Sequence, residues 1–406
     1  INNKKIVETS LDRIRQLSAH EIGHTLGFAH NYLSSISDRS SVMDYPHPKI
    51  DIINNKINLE NAYDKNIGEW DKVSVAYAYS DFPNYLDETT ELNKIIDDAS
   101  KNGLGFISDS DSRPIGSAHP FSHLWDNGDV PYKELDKLIK VRRLALNNID
   151  LNHLNNNEPY SKIEDILVPV YLLHRYQIEA TAKAIGGLKY QYFVKNNKNE
   201  KIEFVDNDLQ IKSLESLINV IDPENLTLPN NLISIITPRS FRNNRTRENF
   251  ESNTGVAFDY ISASSSILNH TFNLLFNYQR VNRIVQQNML NNNLISLDKY
   301  LDIIIDSVHN FNSSNTYQIE LNKNSRSIIL DYIFNLYSHP ALYDNGRSIL
   351  LNKIFKIKNE LNSKNAFDNL LIKRINDFLD NPEKYIMIQN YSIPDGSPIG
   401  DFSCDY

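Results

Sequence analysis

The segment HEIGHTLGFAH, residues 20–30, restricts what this chain can fold into more than any other. It holds three of the chain's eleven histidines, and a glutamate follows the first of them. Histidines four apart share one face of an α-helix, with Cβ atoms about 5–6 Å apart, so the imidazoles of His20 and His24 can reach a single ion. Leu11, Ile22 and Leu26 fall roughly opposite at helical spacing. The spacing predicts a helix with Thr9 and Asp12 as its start signal and Gly27 as its left-handed stop. The sharp turn at Gly27 then returns His30 to the same point from outside the helix.

Three neutral nitrogen donors with a fourth position open match the catalytic form of a zinc site rather than the closed structural form. Glu21 projects about a quarter turn round from His20, too far for a third ligand but within reach of a water beside the ion. Zinc lowers the pKa of such a water to about 7. Glu21 is then placed to take the water's proton and later hand it to a leaving amine. HExxH alone arises by chance in roughly one or two of a hundred chains of this composition, so the added Gly27 and His30 give the pattern its specificity.

The signature continues at Ser41-Val42-Met43-Asp44-Tyr45, with Met43 thirteen residues after His30. HExxHxxGxxH followed by a methionine turn resembles the metzincin metallopeptidases. The resemblance implies that Met43 forms an apolar floor under the three imidazoles, a place that suits a soft, unbranched side chain. An ordinary core methionine would play nearly the same physical role. Tyr45 has two readings: a phenol that stabilises the oxyanion near the metal, as in some metzincins, or a buried packing tyrosine. IGEWDKVSVAYAYS, 67–80, is similar to the helix that closes a metzincin catalytic domain.

More specifically, the chain resembles a family of large bacterial zinc-dependent metalloproteases whose C-terminal part is a met-zincin domain. HEIGHTLGFAHNY, SVMDYP, IGEWDKVSVAYAY, DSRPIGSAHPFSHLWDNGDVP and ILVPVYLLHRYQIEATAKAIGGLKYQYFV carry the likeness, over about residues 18 to 196. Beyond 200 it is one of helical character and order. The resemblance implies one catalytic zinc, polypeptide substrates, and action in the cell envelope or outside the cell. It also implies an upstream part of the same protein, including a sheet whose edge strand grips substrate by strand addition. About ten residues precede the expected helix, so zinc binding is expected of this chain more readily than cleavage.

The expected architecture is mainly α: the C-terminal part of a metzincin catalytic domain in 1–83, a loop-rich segment packing on it in 84–131, and a helical region in 132–406. Helices are predicted near 67–80, 132–150, 160–186 (broken or started at Pro169), 207–220, 258–290, 296–310, 325–338, 346–362 and 366–380. Residues 31–62 and 81–131 read as largely irregular, and at most one β-hairpin is predicted, pairing 189–194 with 201–205. The net charge of −9, with no Lys/Arg stripe, argues against a nucleic-acid partner. No apolar run reaches the 18 or so residues of a membrane span. Cys404 is the only cysteine, which excludes a disulfide framework within the chain and leaves a free thiol near its end. The start at Ile1, without a signal segment, reads as a fragment or a processed product.

Other candidates carry less. His119 and His123 are four apart, but Pro120 opposes a helix through both, and a packed loop is the simpler reading than a second metal site. Asp109, Asp111 and Asp126 could contribute to a calcium site; the EF-hand order is missing, which favours a solvated acidic loop. Arg175 and Glu179 are placed to pair at i, i+4 on a buried helix that also carries His174, and His47 sits in a rigid turn between Pro46 and Pro48. Two competing functions stand beside the peptidase. A non-catalytic zinc-containing scaffold of the envelope has no need of Glu21 beside an open position, whereas a hydrolase of non-peptide substrates would use the same groups.

Overall fold

His20 and His24 do lie on a helix, but a longer one. In the computed structural model, which describes residues 3–37, 39–195, 201–385 and 393–394, α1 spans Asn3–Thr25. Thr9 and Ser10 do not start it. Their hydroxyls donate back to the carbonyls of Lys5 and Ile6, as interior serines and threonines do. Its faces are inverted relative to an ordinary amphipathic helix. Asp12, Arg13, Gln16 and His20 are buried, while Val7, Leu11, Ile14 and Ile22 on the other side are 44–59 % exposed.

A 3-10 turn (Ser34–Ser37) and the hairpin β1 (Asp51–Ile53)–β2 (Lys56–Asn58) follow. The expected irregular stretch thus conceals a hairpin, and the described residues hold two small antiparallel sheets rather than at most one hairpin. Asn54 and Asn55, with φ of 50° and 57°, form its two-residue turn; asparagine tolerates the left-handed backbone that such turns require. The closing helix forms as α2 (Glu69–Tyr79). α3 (Glu88–Lys101) packs on α2 inside the segment read as irregular. Asp87 caps it by accepting from Thr90 N at 2.9 Å. After the short α4 (Asp109–Ser112) the chain runs through an ordered loop to residue 130.

The helical region then begins with α5 (Pro131–Asn148). Pro169 neither starts nor breaks its helix: it sits inside α6 (Ile163–Tyr171), and the break falls at Leu172–His174, before α7 (Arg175–Ala182). The pairing β3 (Leu188–Lys189)–β4 (Glu203–Phe204) realises the predicted hairpin over only two residues per strand. α8 (Asn207–Ile221), α9 (Pro223–Leu226) and α10 (Asn230–Ile233) lead to α11 (Tyr260–Leu275) and α12 (Tyr278–Leu290). The last two replace the single helix predicted for 258–290. Asn277 separates them by accepting from the backbone N–H of Gln279 and Arg280, a cap that competes with helix continuation.

α13 (Leu297–His309), α14 (Thr316–Ser338), α15 (Asp344–Glu360) and α16 (Ala366–Asp380) complete the order. α14 starts earlier than predicted because Asn315 caps Tyr317 N at 2.9 Å. From α5 onward one continuous apolar core holds the helices, including Leu217, Phe272, Ile304, Ile333, Phe334 and Phe378. No helix of the described residues is long and apolar enough to cross a membrane. Cys404 lies outside the described residues.

Candidate metal centre

The C-terminal end of α1 organises the site. Gly27, at φ 87°, ends the helix in the left-handed backbone expected of it. Gly27 N donates to His24 O, Phe28 N donates to Gly23 O, and the chain turns back through His30. The Nε2 atoms of His20 and His24 lie 3.1 Å apart, and those of His24 and His30 3.2 Å apart. Each Nδ1 faces an acceptor: Val42 O at 2.7 Å for His20, Phe28 O at 2.9 Å for His24, and the Asp109 carboxylate at 2.9 and 3.1 Å for His30. Carbonyls and carboxylates only accept, so the protons belong on Nδ1 and the three Nε2 atoms present lone pairs to one another.

That convergence is repulsive unless a cation sits among them. The spacing also fits zinc: tetrahedral Zn–N bonds of about 2.0–2.1 Å place ligand nitrogens about 3.3–3.4 Å apart. Burial, with the neighbouring imidazoles, holds the His20 pKa down to about 4, so this ring is neutral around pH 7. His20, His24 and His30 are the only group of three such donors among the described residues.

Met43 is buried against Gly23 of α1, 2 % exposed. A Cβ at Gly23 would fall 2.1 Å from its Sδ, so only glycine between the two helical histidines lets the thioether nest there. The turn that carries Met43 is pinned from α2. Asp71 accepts from Val42 N at 2.8 Å, Ser41 Oγ at 2.6 Å and Gly68 N at 2.6 Å. Val42 O in turn accepts a hydrogen bond from His20 Nδ1, which connects the closing helix to the first histidine. Tyr45 is buried against His20, His30 and Trp125, with ring centroids 4.7–4.9 Å away. Its hydroxyl stands 3.2 Å from His30 Nε2. The ring is therefore packed while the phenol oxygen faces the converging nitrogens, so the two readings of this residue are physically compatible. Glu21, on the same helix, is exposed.

The loop-rich segment closes over one side. Tyr32 N donates to Ile107 O at 2.9 Å and Trp125 N to Tyr45 O at 2.7 Å. Asp109 reaches His30, and its pKa lies well below the usual carboxylate range: burial raises it, but hydrogen bonds from His30 and Arg113 outweigh burial. Asp109, Asp111 and Asp126 do not form the solvated acidic loop that the sequence favours over a calcium site, since Asp126 is buried. Asp111 accepts from Tyr190 and Tyr192, and Asp126 from Ser35, so the three carboxylates serve three separate contacts.

The remaining candidates also have other partners. His123 Nε2 lies 3.3 Å from Glu179, which also faces His270 at 3.4 Å. The expected Arg175–Glu179 pair is therefore replaced: Arg175 lies over the Tyr176 ring instead. His119 packs edge-on against Tyr190, and His47 is buried with Nδ1 3.2 Å from Pro48 O. Asp71 carries no sequence signal of its role beyond its place in the closing helix. Asp109 was visible only as part of an acidic loop.

The chain matches no curated protein and no solved structure. A family profile described as Met-zincin matches residues 2–315, which takes in the histidines, the methionine turn, the closing helix, the loop-rich segment and the helices through α13. The chain belongs to the Met-zincin family.

Proposed function

We propose that the protein is a zinc-dependent endopeptidase, with His20, His24 and His30 as metal ligands and Glu21 as general base. The observation that carries this reading is the convergence of three Nε2 lone pairs, each fixed by an acceptor on its Nδ1, next to an exposed carboxylate. Zinc, when bound, supplies Lewis acidity that acidifies a water to about pKa 7 and polarises a carbonyl.

The chain's own residues do the rest. Glu21 takes a proton from the attacking water and returns it to the departing nitrogen. Its exposure leaves it accessible to water and substrate. The Tyr45 hydroxyl, fixed by the packing of its ring, donates to the oxygen on which negative charge develops. Met43 and Gly23 keep the two helical imidazoles at a fixed height. The upstream part implied by the resemblance has a surface to meet in the outward apolar stripe of α1. Action in the cell envelope or beyond rests on resemblance alone.

Hydrolysis of a quenched-fluorescent peptide library, before and after chelation and zinc restoration, tests the reading in this chain and in a form extended upstream. Chelator-sensitive, zinc-restored cleavage in either form is the expected result. Zinc bound without cleavage in both forms would favour the scaffold or the non-peptide hydrolase.

A further inference from the structure

We infer that Asp109 is a positioning residue for the third metal ligand, held in place by Arg113 and Tyr32. The inference rests on the proposed zinc site. It starts from an asymmetry among the three ligands. His20 and His24 are each backed by a backbone carbonyl, but His30 is backed by a carboxylate. Both Asp109 oxygens lie within 3.1 Å of His30 Nδ1. An ionised acceptor makes the stronger hydrogen bond, fixes the ring's tautomer and orientation, and makes Nε2 a better donor to a cation.

The carboxylate is itself oriented. Tyr32 Oη donates to Oδ1 at 3.1 Å, Ser108 Oγ donates to Oδ2 at 3.2 Å, and Arg113 Nε donates to Oδ1 from one turn further along the chain. Arg113 Nη2 also donates to Tyr32 Oη at 2.9 Å, closing a ring of contacts around Asp109. The backbone just before Asp109 is tied to the chain just after His30. Asn31 Nδ2 donates to Gly105 O at 2.9 Å, Asn31 Oδ1 accepts from Ile107 N at 3.2 Å, and Tyr32 N donates to Ile107 O at 2.9 Å. Asp109 thus stands beside His30 on a fixed scaffold although 79 residues separate them.

The plainer alternative is an Asp109–Arg113 surface ion pair that happens to lie near a histidine. Exposed pairs of that kind contribute little, and this one would leave metal binding unchanged. A carboxylate behind a ligating histidine is instead worth about 10–100-fold in metal affinity. Asp111 supplies an internal control, because it lies in the same short turn but accepts from Tyr190 and Tyr192 instead of a ligand.

The test is zinc affinity by competition with a chromogenic chelator, using the full chain and the variants Asp109→Ala, Asp109→Asn and Asp111→Ala. The metal-free melting temperature of each variant serves as the folding check. Cobalt substitution adds a second readout, since the visible bands report ligand orientation. The expected result is a loss of about 10–100-fold for Asp109→Ala and a smaller loss for Asp109→Asn, which keeps an acceptor oxygen but no charge. Asp111→Ala should bind as wild type does, and the cobalt bands should move only in the Asp109 variants. If Asp109→Ala does not fold, the near-isosteric Asp109→Asn decides. Wild-type affinity in a folded Asp109 variant, or equal losses for Asp109 and Asp111, would overturn the inference. Zinc binding without hydrolysis, in this chain and in the form extended upstream alike, would sink the peptidase proposal and leave this inference standing.

Discussion

The two ends of the molecule are stabilised by different physics. The metal centre is assembled from polar groups: buried Asp71 under the methionine turn, half-buried Asp109 behind His30, and buried Asp12, Arg13 and Gln16 on the inward face of α1. Its own apolar nucleus is a small aromatic cluster of Tyr32, Tyr45 and Trp125. The region from α5 to α16 instead surrounds a continuous aliphatic and aromatic core, where Phe334 and Phe378 stack with centroids 4.1 Å apart. Hydrogen bonds are directional and the hydrophobic effect is not. The first region can therefore aim three imidazoles at one point, while the second supplies most of the burial that keeps the chain folded.

The largest effects should separate the two regions completely. His24→Ala is expected to abolish zinc binding and hydrolysis while the main thermal transition of the metal-free protein stays within a few degrees of wild type. Phe334→Ala should do the reverse. It should destabilise the fold by about 3–5 kcal/mol, with zinc affinity unchanged at temperatures where the protein remains folded. Parallel calorimetry and zinc titration check both variants, and a large loss of zinc affinity in folded Phe334→Ala would break the division.

Asp71→Ala sharpens the contrast at intermediate size. It leaves Val42 N, Gly68 N and Ser41 Oγ without their acceptor, which costs about 1–3 kcal/mol per buried group that stays unsatisfied. Because the loss falls on the methionine turn, zinc affinity should drop about tenfold, consistent with loss of an outer-shell partner.

Acid should weaken the fold through histidines outside the ligand set. Burial, with nearby positive charge, lowers His47, His119 and His123 to about 4, against 6.5 for an ordinary histidine. Between those values the unfolded chain binds more protons than the folded one. Their contribution is therefore complete above about pH 6.5 and is lost as pH falls towards 4. The metal-free protein should melt on the order of 10 °C lower at pH 4.5 than at pH 7, and an unchanged melting temperature would contradict the assignment. The smallest expected effect is Asn55→Gly in the β1–β2 turn, where φ is 57°. It should stabilise by about 0.5 kcal/mol without touching zinc affinity.

What the sequence reveals about this molecule follows the range of the interactions. The ligand set is local: His20, His24, Gly27 and His30 are related by helical spacing and one left-handed turn, so their convergence is legible without tertiary information. The closing helix and most of the later helices are legible for the same reason, through periodicity. The Asn54-Asn55 turn and the cap at Asp87 were readable signals, hidden in stretches whose polar composition suggests loop. Asp71 and Asp109 were not readable as supports. Each is an ordinary aspartate until the chain brings it 29 or 79 residues back to its partner. The inward-facing polar side of α1 is equally invisible, since its apolar residues mark a face that this structure leaves outward.

The account's central claim is the division of roles within HEIGHTLGFAH. Its most direct test is metal content and peptide hydrolysis measured on the same preparations of wild type and Glu21→Gln. The account predicts about one zinc per chain in both, with the Glu21→Gln rate lower by roughly 10²–10⁴-fold. Loss of zinc from Glu21→Gln, or hydrolysis at the wild-type rate without that carboxylate, would contradict it.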